Sequence, residues 1–251
     1  MYRATTIRII VLLIAVGIVE ALCRTGVIAN LTMIPPSMMV VGLIDILRSG
    51  RFNLDIAVTL RNVAIAIVAA MLAGPALAIL LNRLPVVRRI LDPLFATYYA
   101  IPVYAFYPLL MVVLGLGDAP QIAVGFLLAV VAVLINTLNG LDRMPAVLLK
   151  VARMHRMSTL DIALKIRLPF AAPYVFTGFK LAVAYAFVGV VGAEFITSSR
   201  GIGYEISYAY NNFDNAVMYP LILLILVIAI VVNMSLYAWE RRLLARRAGP
   251  S

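Results

Sequence analysis

The stretch Gln121–Gly140, QIAVGFLLAVVAVLINTLNG, contains twenty residues, and none of them is charged. Because a helix rises ~1.5 Å per residue and the hydrocarbon core of a bilayer is ~30 Å thick, this run predicts a membrane-spanning helix. Backbone groups in lipid must be hydrogen-bonded internally, and the alternation typical of porins is absent, so the sequence predicts an all-α membrane protein with about six transmembrane helices. The other predicted spans are Ile9–Ile28, Ile56–Asn82, Ile90–Gly115, Tyr174–Thr197 and Met218–Trp239.

The first of these spans has a second interpretation. Arg3 and Arg8 precede its apolar residues, and this order is also typical of a secretory signal peptide. The segment Glu20–Cys23 contains no small-residue cleavage pattern, which favours a membrane helix. The whole chain has one His and one Cys, too few for clustered metal ligands or a disulfide, so we expect no metal site and no catalytic residues.

The basic residues are distributed unevenly over the predicted loops. With a cytoplasmic N-terminus, fifteen Lys and Arg residues fall on the cytoplasmic side and four on the opposite side. Short loops rich in Lys and Arg stay in the cytoplasm, so both termini are expected there, including a short tail at residues 240–251. This topology accounts for the formal net charge of +10, and we expect no nucleic-acid partner.

The cytoplasmic loop at residues 141–172 contains a basic run, KVARMHRMSTLDIALKIRLP, at Lys150–Pro169. Asp142 is a candidate cap for a helix that runs to about Arg156. A second helix is predicted after it, and a solvated amphipathic loop is the alternative interpretation.

Ser158 and Asp161 form a capping box, which predicts that the second helix begins there and runs to Ile166. Proline lacks an N–H and restricts the preceding residue. Pro169 and Pro173 therefore predict a break before the fifth span.

This loop resembles that of the permeases of binding-protein-dependent ATP-binding cassette (ABC) importers, which contains Glu-Ala-Ala, three residues, Gly and, further on, Leu-Pro. Lys150–Ala152 occupies the Glu-Ala-Ala positions, Arg156 the Gly position and Leu168-Pro169 the Leu-Pro. Lys150 reverses the family's charge. Because a left-handed backbone is costly for Arg156, we expect the turn to be remodelled at Met157-Ser158.

The rest of the chain resembles the nitrate, sulfonate and taurine branch of those permeases. Importers in that branch carry small anions, and we expect a small, anionic organic or inorganic solute here. The matching stretches are IPPS at Ile34–Ser37, AIPVYAFYPLLMVVLGLGDAPQIAVGFLLAVVAVLINTLNGL at Ala100–Leu141, LPFAAPYVFTGFKLAVAYAFVGVVGAEFITSSRGIGYEI at Leu168–Ile206 and WERRLLAR at Trp239–Arg246.

The resemblance implies the type I ABC importer permease fold, with one transmembrane domain over residues 1–251 and a cytoplasmic coupling-helix loop. It also implies a bacterial inner-membrane location, a second permease copy or a related permease, two cytoplasmic ATPases and an extracytoplasmic substrate-binding protein. The sequence has no phosphate-binding G-x-x-x-x-G-K-[ST] loop, so ATP and Mg are expected on the ATPase and no cofactor on this chain. The residues expected to contact the ATPase are Lys150, Ala152, Arg153, Met154, His155, Arg156, Met157, Ser158, Leu168 and Pro169.

Aromatic and small residues in two spans are candidates for lining a solute pathway. In the third span, aromatic residues bracket Pro102 and Pro108. An interfacial aromatic belt explains Tyr98, whereas the deeper Tyr104 and Tyr107 favour a proline-broken helix beside a cavity. In the fifth span, which lines the central pathway of the resembled family, Gly178 and Ala182 lie beside Tyr185. Close helix packing is the alternative interpretation of these small residues.

Ionisable residues inside lipid are costly, so those within the spans are functional candidates. For Arg61 and Lys180, near span ends, snorkelling to the interface is the alternative. Glu194 matches a Glu of the family and is expected to organise the outer gate and the following loop more than to bind solute. The candidate pathway residues are Tyr99, Tyr104, Tyr107, Gly178, Lys180, Ala182, Tyr185 and Glu194.

Two alternatives remain at the level of the sequence. A secondary, ion-coupled transporter would need a coupling-ion site near the membrane midplane, and the spans contain few acids and no visible repeat. The unusual residues Lys150 and Arg156 fit either a homodimer with a compensating ATPase or the degenerate half of a heterodimer.

Overall fold

The structure, a computed structural model, describes residues 2–247; within that range the side chains of residues 2–5, Ile9, Ala96, Arg153 and residues 241–247 lie outside the description. Over the described residues the chain is helical and contains no strand. The helices are α1 (Tyr2–Arg24), α2 (Pro36–Ser49), α3 (Asn53–Arg83), α4 (Pro85–Thr97), α5 (Tyr107–Leu114), α6 (Asp118–Asp142), α7 (Ala146–Met154), α8 (Thr159–Ile162), α9 (Leu168–Ile196), α10 (Ile202–Asn211) and α11 (Asn215–Arg247).

Five helical segments among the described residues are long and apolar enough to cross a membrane, and a bent pair of helices brings the number to six. The prediction of an all-α membrane protein with about six spans is therefore confirmed. The tail predicted at residues 240–251 is described only as far as Arg247, the end of α11. The single domain over residues 1–251 stays a prediction.

The third span is the bent pair. α4 is followed by two short 3₁₀ turns, Tyr98–Ala100 and Val103–Phe106, and then by α5, with a bend of 93°. Ile101 takes an extended conformation (φ −79°, ψ 123°), as expected for a residue that precedes proline. The span predicted at Ile90–Gly115 is thus two helices interrupted at Pro102, in agreement with the proline-broken interpretation.

The segment before the fifth span differs from the prediction, since no break occurs at Pro169 or Pro173. α8 continues through a π-helical turn, Ala163–Arg167, directly into α9, so that Thr159–Ile196 is one helical segment. The Leu168 N–H donates to the Ala163 carbonyl, five residues back. This wider turn accommodates the ring of Pro169, which would clash with the carbonyl four residues earlier in a regular α-helix.

The chain divides into two compact units, of which the first comprises residues 2–58 and Glu194–Val231. Leu43 and Ile46 of α2 pack in its core with residues of α10 and α11. A Cβ added at Gly42 would lie 2.7 Å from Cγ of Pro220, so α2 and α11 are in close contact there. The short helix predicted after Pro35-Pro36 is confirmed as α2.

The second unit comprises Thr59–Ala193 and residues 232–247, and α6 lies at its centre. Within the most apolar part of α6, 61% of residues are buried. Small residues bring neighbouring helices close, because a Cβ at Gly74 would lie 2.7 Å from Cβ of Val133 and a Cβ at Gly189 would lie 2.6 Å from Cα of Gly125. Such approach is the usual source of helix association in lipid, where burial of apolar surface contributes little.

The close approach at Gly189 yields a prediction. Glycine to alanine in an open helical position stabilises by about 1 kcal/mol, whereas Gly189→Ala forces a methyl group against the Gly125 backbone and should destabilise by about 1–3 kcal/mol. The stabilities of the Gly189→Ala protein and of a control variant are measured by thermal unfolding in detergent. Gly17→Ala is the control, since nothing lies within 4 Å of the added methyl, and a Gly189→Ala protein as stable as this control would contradict the packing.

Candidate functional site

The first half of the predicted coupling loop forms the nine-residue helix α7. Ala152 is 1% exposed and anchors the helix on the protein, whereas the side chain of Met154 is 83% exposed. Lys150 and His155 are exposed as well. The side chain of Arg153, the remaining predicted contact of this helix, lies outside the described residues. α7 therefore exposes several apolar side chains, of which Met154 is the most exposed, beside basic ones.

Arg156 ends this helix in a left-handed conformation, with φ of 49°. The Met157 N–H donates to the Ala152 carbonyl (N to O, 3.1 Å), which is the six-to-one bond of a Schellman motif. The prediction that the turn would be remodelled at Met157-Ser158 is therefore wrong. The Arg side chain tolerates the conformation that favours Gly because the hydrogen bond that closes α7 requires a positive φ at this position.

Two replacements of Arg156 separate the effect of the left-handed backbone on stability from the effect of the guanidinium charge. Arg156→Gly and Arg156→Ala both remove the guanidinium, but only glycine adopts a positive φ without steric cost. We expect the Gly variant to be more stable than the Ala variant by about 1 kcal/mol, measured by thermal unfolding. Equal stability of the two variants would mean that the left-handed conformation is absent in solution.

The second half of the loop begins with the predicted capping box. Ser158 Oγ accepts a hydrogen bond from the Asp161 N–H (3.1 Å), and its hydroxyl donates to the Asp161 carboxylate (2.5 Å). Asp161 also pairs with Lys165 at 2.5 Å. Arg83, at the end of α3, donates to the Thr159 carbonyl at 2.8 Å and thereby ties this half of the loop to a membrane span. The predicted contacts Leu168 and Pro169 lie in the first turn of α9.

Two contacts at the base of the loop were missed by the sequence analysis. Asp142, predicted as a helix cap, is instead the last residue of α6, and a helical residue cannot take the cap conformation. Its carboxylate accepts two hydrogen bonds from Arg88, at 2.6 and 2.5 Å. Arg143 donates to the Tyr174 hydroxyl (3.1 Å). The signal available for the pair of Arg88 and Asp142 was their opposite charge, since the sequence predicts both at the cytoplasmic ends of neighbouring spans.

The tyrosines of the broken third span lie against α6 and α9. The rings of Tyr99 and Tyr185 stack with centroids 4.8 Å apart and an interplanar angle of 22°. The Tyr98 hydroxyl donates to the Leu127 carbonyl at 3.0 Å, and the Tyr104 hydroxyl donates to that of Val188. The structure therefore brings Tyr99 and Tyr185, predicted from separate spans, into direct contact.

Gly192 makes room for Tyr104, because a Cβ there would overlap the phenol. Tyr107, predicted to line the pathway, is only 1% exposed and packs among Val103, Val124 and Ala193. Its position is that of a core residue.

The small residues of the fifth span are closely packed. A Cβ at Gly178 would lie 2.9 Å from Cα of Val133, and Ala182 has no exposed surface. Close packing, for Gly178 against α6, thus accounts for both residues, which was the alternative interpretation.

Arg61 and Lys180, the two basic candidates within the spans, are each paired with an acid. Lys180 Nζ donates to both carboxylate oxygens of Glu240, each at 2.8 Å. Arg61 pairs with Asp118. Snorkelling alone therefore does not explain either cation, since each charge is compensated by a carboxylate within the protein.

Glu194 has no exposed surface, and its carboxylate accepts a hydrogen bond from the Gly203 N–H at 3.1 Å. Gly201, with φ of 105°, donates its N–H to Asp55 at 2.9 Å. The pKa of Glu205 in α10 is raised, mainly by burial and to a smaller extent by the Asp55 carboxylate, while Arg51 acts in the opposite direction. The loop that follows the fifth span thus folds around the Glu194 carboxylate.

The conformation of Gly201 yields a third prediction. A Cβ at this position would lie 2.4 Å from the carboxyl carbon of Glu194, and the backbone (φ 105°, ψ 163°) is one that glycine alone adopts readily. Gly201→Ala should therefore destabilise by about 1–3 kcal/mol. In Gly26→Ala, the control, φ is also positive but nothing lies within 4 Å. If thermal unfolding gave the same loss of stability for Gly201→Ala and Gly26→Ala, the close contact with Glu194 would not contribute to the destabilisation.

Residues 65–248 match the family of the binding-protein-dependent transport system inner membrane component. This match covers more than half of the chain, and the chain belongs to that family. The resemblance noted in the sequence is thereby confirmed, and the relatives described next confirm its nitrate and taurine branch.

Among its relatives, the nitrate import permease of Leptolyngbya laminosa is 33% identical over 179 residues, which are 71% of this chain and 64% of the relative. The nitrate import permease of Synechococcus elongatus is 32% identical over 77% of this chain and 70% of its own length. The taurine transport system permease of Escherichia coli is 29% identical over 75% and 68%. The matched part of the chain thus spans about two thirds of the length of each relative.

Proposed function

We propose that this chain is the permease subunit of an ABC importer in the bacterial inner membrane and that it forms half of the pore for a small anion. Family membership and the six candidate spans support this function. An extracytoplasmic binding protein delivers the solute, and two cytoplasmic ATPases bind ATP and Mg. Both termini and the loop at residues 141–172 are cytoplasmic, which the basic residues of these segments support.

The observation that carries the proposal is the surface of α7, which exposes an apolar side chain among basic residues. A short helix held on the protein by Ala152 exposes Met154, flanked by Lys150, His155 and Arg156. A flexible thioether adapts to an irregular apolar groove, and the basic residues around it fit a groove that contains carboxylates. We assign this surface to the ATPase, so that movement of the ATPase is transmitted through α7 to α8 and α9.

The stacked pair of Tyr99 and Tyr185 lies where the solute passes. Tyr99 is 42% exposed, and both rings belong to helices beside the interruption at Pro102. Irregular backbone at membrane depth is tolerated where it borders protein or a water-filled cavity. Relatives named for nitrate and taurine support a small anion as the solute, whose identity is then selected chiefly by the binding protein.

We further propose that two identical permease chains form the pore. The left-handed backbone at Arg156 preserves the turn for which the resembled family uses Gly, which supports a working coupling loop in this chain. A degenerate half of a heterodimer would be under no constraint to maintain that costly conformation. Carboxylates on the ATPase then compensate the charges of Lys150 and Arg156.

Charge reversal at Arg156 tests the proposal. Loss of one partner from a buried, hydrogen-bonded charge pair is costly, so Arg156→Glu should lower transport by at least about tenfold. Arg156→Gly, which keeps the turn without the charge, should have an intermediate effect, and Lys150→Ala a mild one. Transport and ATPase stimulation are measured in reconstituted complexes of permease, ATPase and binding protein.

Full transport by the Arg156→Glu complex would contradict the assignment of this surface to the ATPase. If that complex transported fully only with a second, different permease present, the homodimer would be wrong while the importer function stood.

A further inference from the structure

An apolar groove of about 1020 Å³ opens on the surface of the second unit. The last turns of α3 form one wall, the segment from α8 into α9 forms another, and Trp239 of α11 closes one side. Its volume is at the upper end of the range for small-molecule sites. The groove contains none of the predicted pathway residues.

The lining is almost entirely hydrocarbon and aromatic. Of the seventeen described residues that line the groove, Arg83 is the one that carries a charge. Phe176 lies edge-on to Trp239 with ring centroids 5.3 Å apart. Burial of a polar molecule along such a surface would leave its hydrogen-bonding groups unsatisfied, whereas an alkyl chain loses nothing there. The lining therefore selects an aliphatic ligand.

The charged end of the groove lies at a membrane interface. Arg83 is the last residue of α3, a span of 31 residues. Trp239 and Glu240 lie at the end of the apolar part of α11, and Glu240 pairs with Lys180 of α9. Trp and charged residues mark the boundary between hydrocarbon and headgroups. A lipid chain in the groove would thus carry its headgroup to the level of Arg83.

We propose that the groove is a binding site for one phospholipid with an anionic headgroup, whose acyl chain fills the groove and whose phosphate contacts Arg83. A guanidinium has five N–H donors, and the contact with the Thr159 carbonyl uses one nitrogen, Nη2, and fixes the side chain at the mouth. A second protein chain seated here would have to compensate the charge of Arg83, which a lipid phosphate compensates directly.

Trp239 is the one tryptophan of the chain, and it reports on the groove. The full chain is reconstituted into vesicles of fixed phosphatidylcholine and phosphatidylglycerol content, with brominated acyl chains placed on one lipid or on the other. Bromine quenches indole fluorescence on contact, and the total surface charge is the same in both vesicles. We expect phosphatidylglycerol to be enriched about fivefold at Trp239, as one basic residue near an anionic lipid provides.

Three variants locate the source of this preference. Arg83→Gln should abolish it, and Arg83→Lys, which keeps the positive charge, should retain most of it. Arg89→Gln is the matched control, because Arg89 is exposed nearby in sequence but does not line the groove.

Equal quenching by the two brominated lipids in the unmodified chain would overturn the proposal, since the groove would then contact bulk lipid only. Quenching by neither would overturn it as well, because protein, such as a second copy of the chain, would cover the groove. A headgroup preference that survives Arg83→Gln would contradict the role of Arg83. None of these results bears on the transported solute.

Discussion

Every backbone N–H and C=O within hydrocarbon must be hydrogen-bonded inside the protein, and this requirement shapes the molecule more than any single contact. It enforces helices in all six candidate spans and restricts irregular backbone to places where other groups compensate. At Pro102, where the third span is interrupted, short turns bond the backbone, because the Ile101 N–H donates to the Tyr98 carbonyl and the Ala105 N–H donates to the Pro102 carbonyl. At the π-helical turn Ala163–Arg167 the helix widens without losing its hydrogen bonds.

The irregular positions coincide with the regions to which the proposed function assigns movement. The interrupted third span borders the Tyr99–Tyr185 stack, and the π-helical turn joins the coupling loop to α9. A π-helical turn within an α-helix frequently occurs at functional sites. The regular helices between them are closely packed through glycines such as Gly125, Gly178 and Gly189. Rigid helices joined by a few irregular turns are suited to transmitting a displacement from α7 to the proposed solute pathway.

Much of this arrangement follows from the sequence, because the span pattern depends on length and hydropathy and the Ser158 cap on local chemistry. The errors arise where tertiary structure decides. The residue type at position 156 does not predict a left-handed backbone, because Arg prefers a negative φ. The hydrogen bond from the Met157 N–H to the Ala152 carbonyl outweighs that preference. The pairing of Lys180 with Glu240 joins residues 60 positions apart, and the burial of Tyr107 depends on Val124 and Ala193. Such partners are set by helix packing, which periodicity alone does not specify.

The central claim, that α7 contacts the ATPase, is tested most directly by photocrosslinking. The native Cys23 is the chain's one cysteine and is only 4% exposed, so an introduced cysteine can be labelled selectively with benzophenone maleimide. Met154→Cys is compared with Leu116→Cys, whose native side chain is 87% exposed in the turn between α5 and α6. In an assembled, transporting complex the account predicts a covalent adduct of the ATPase with position 154 and none with position 116. An ATPase adduct at position 116, or its absence at position 154, would contradict the account.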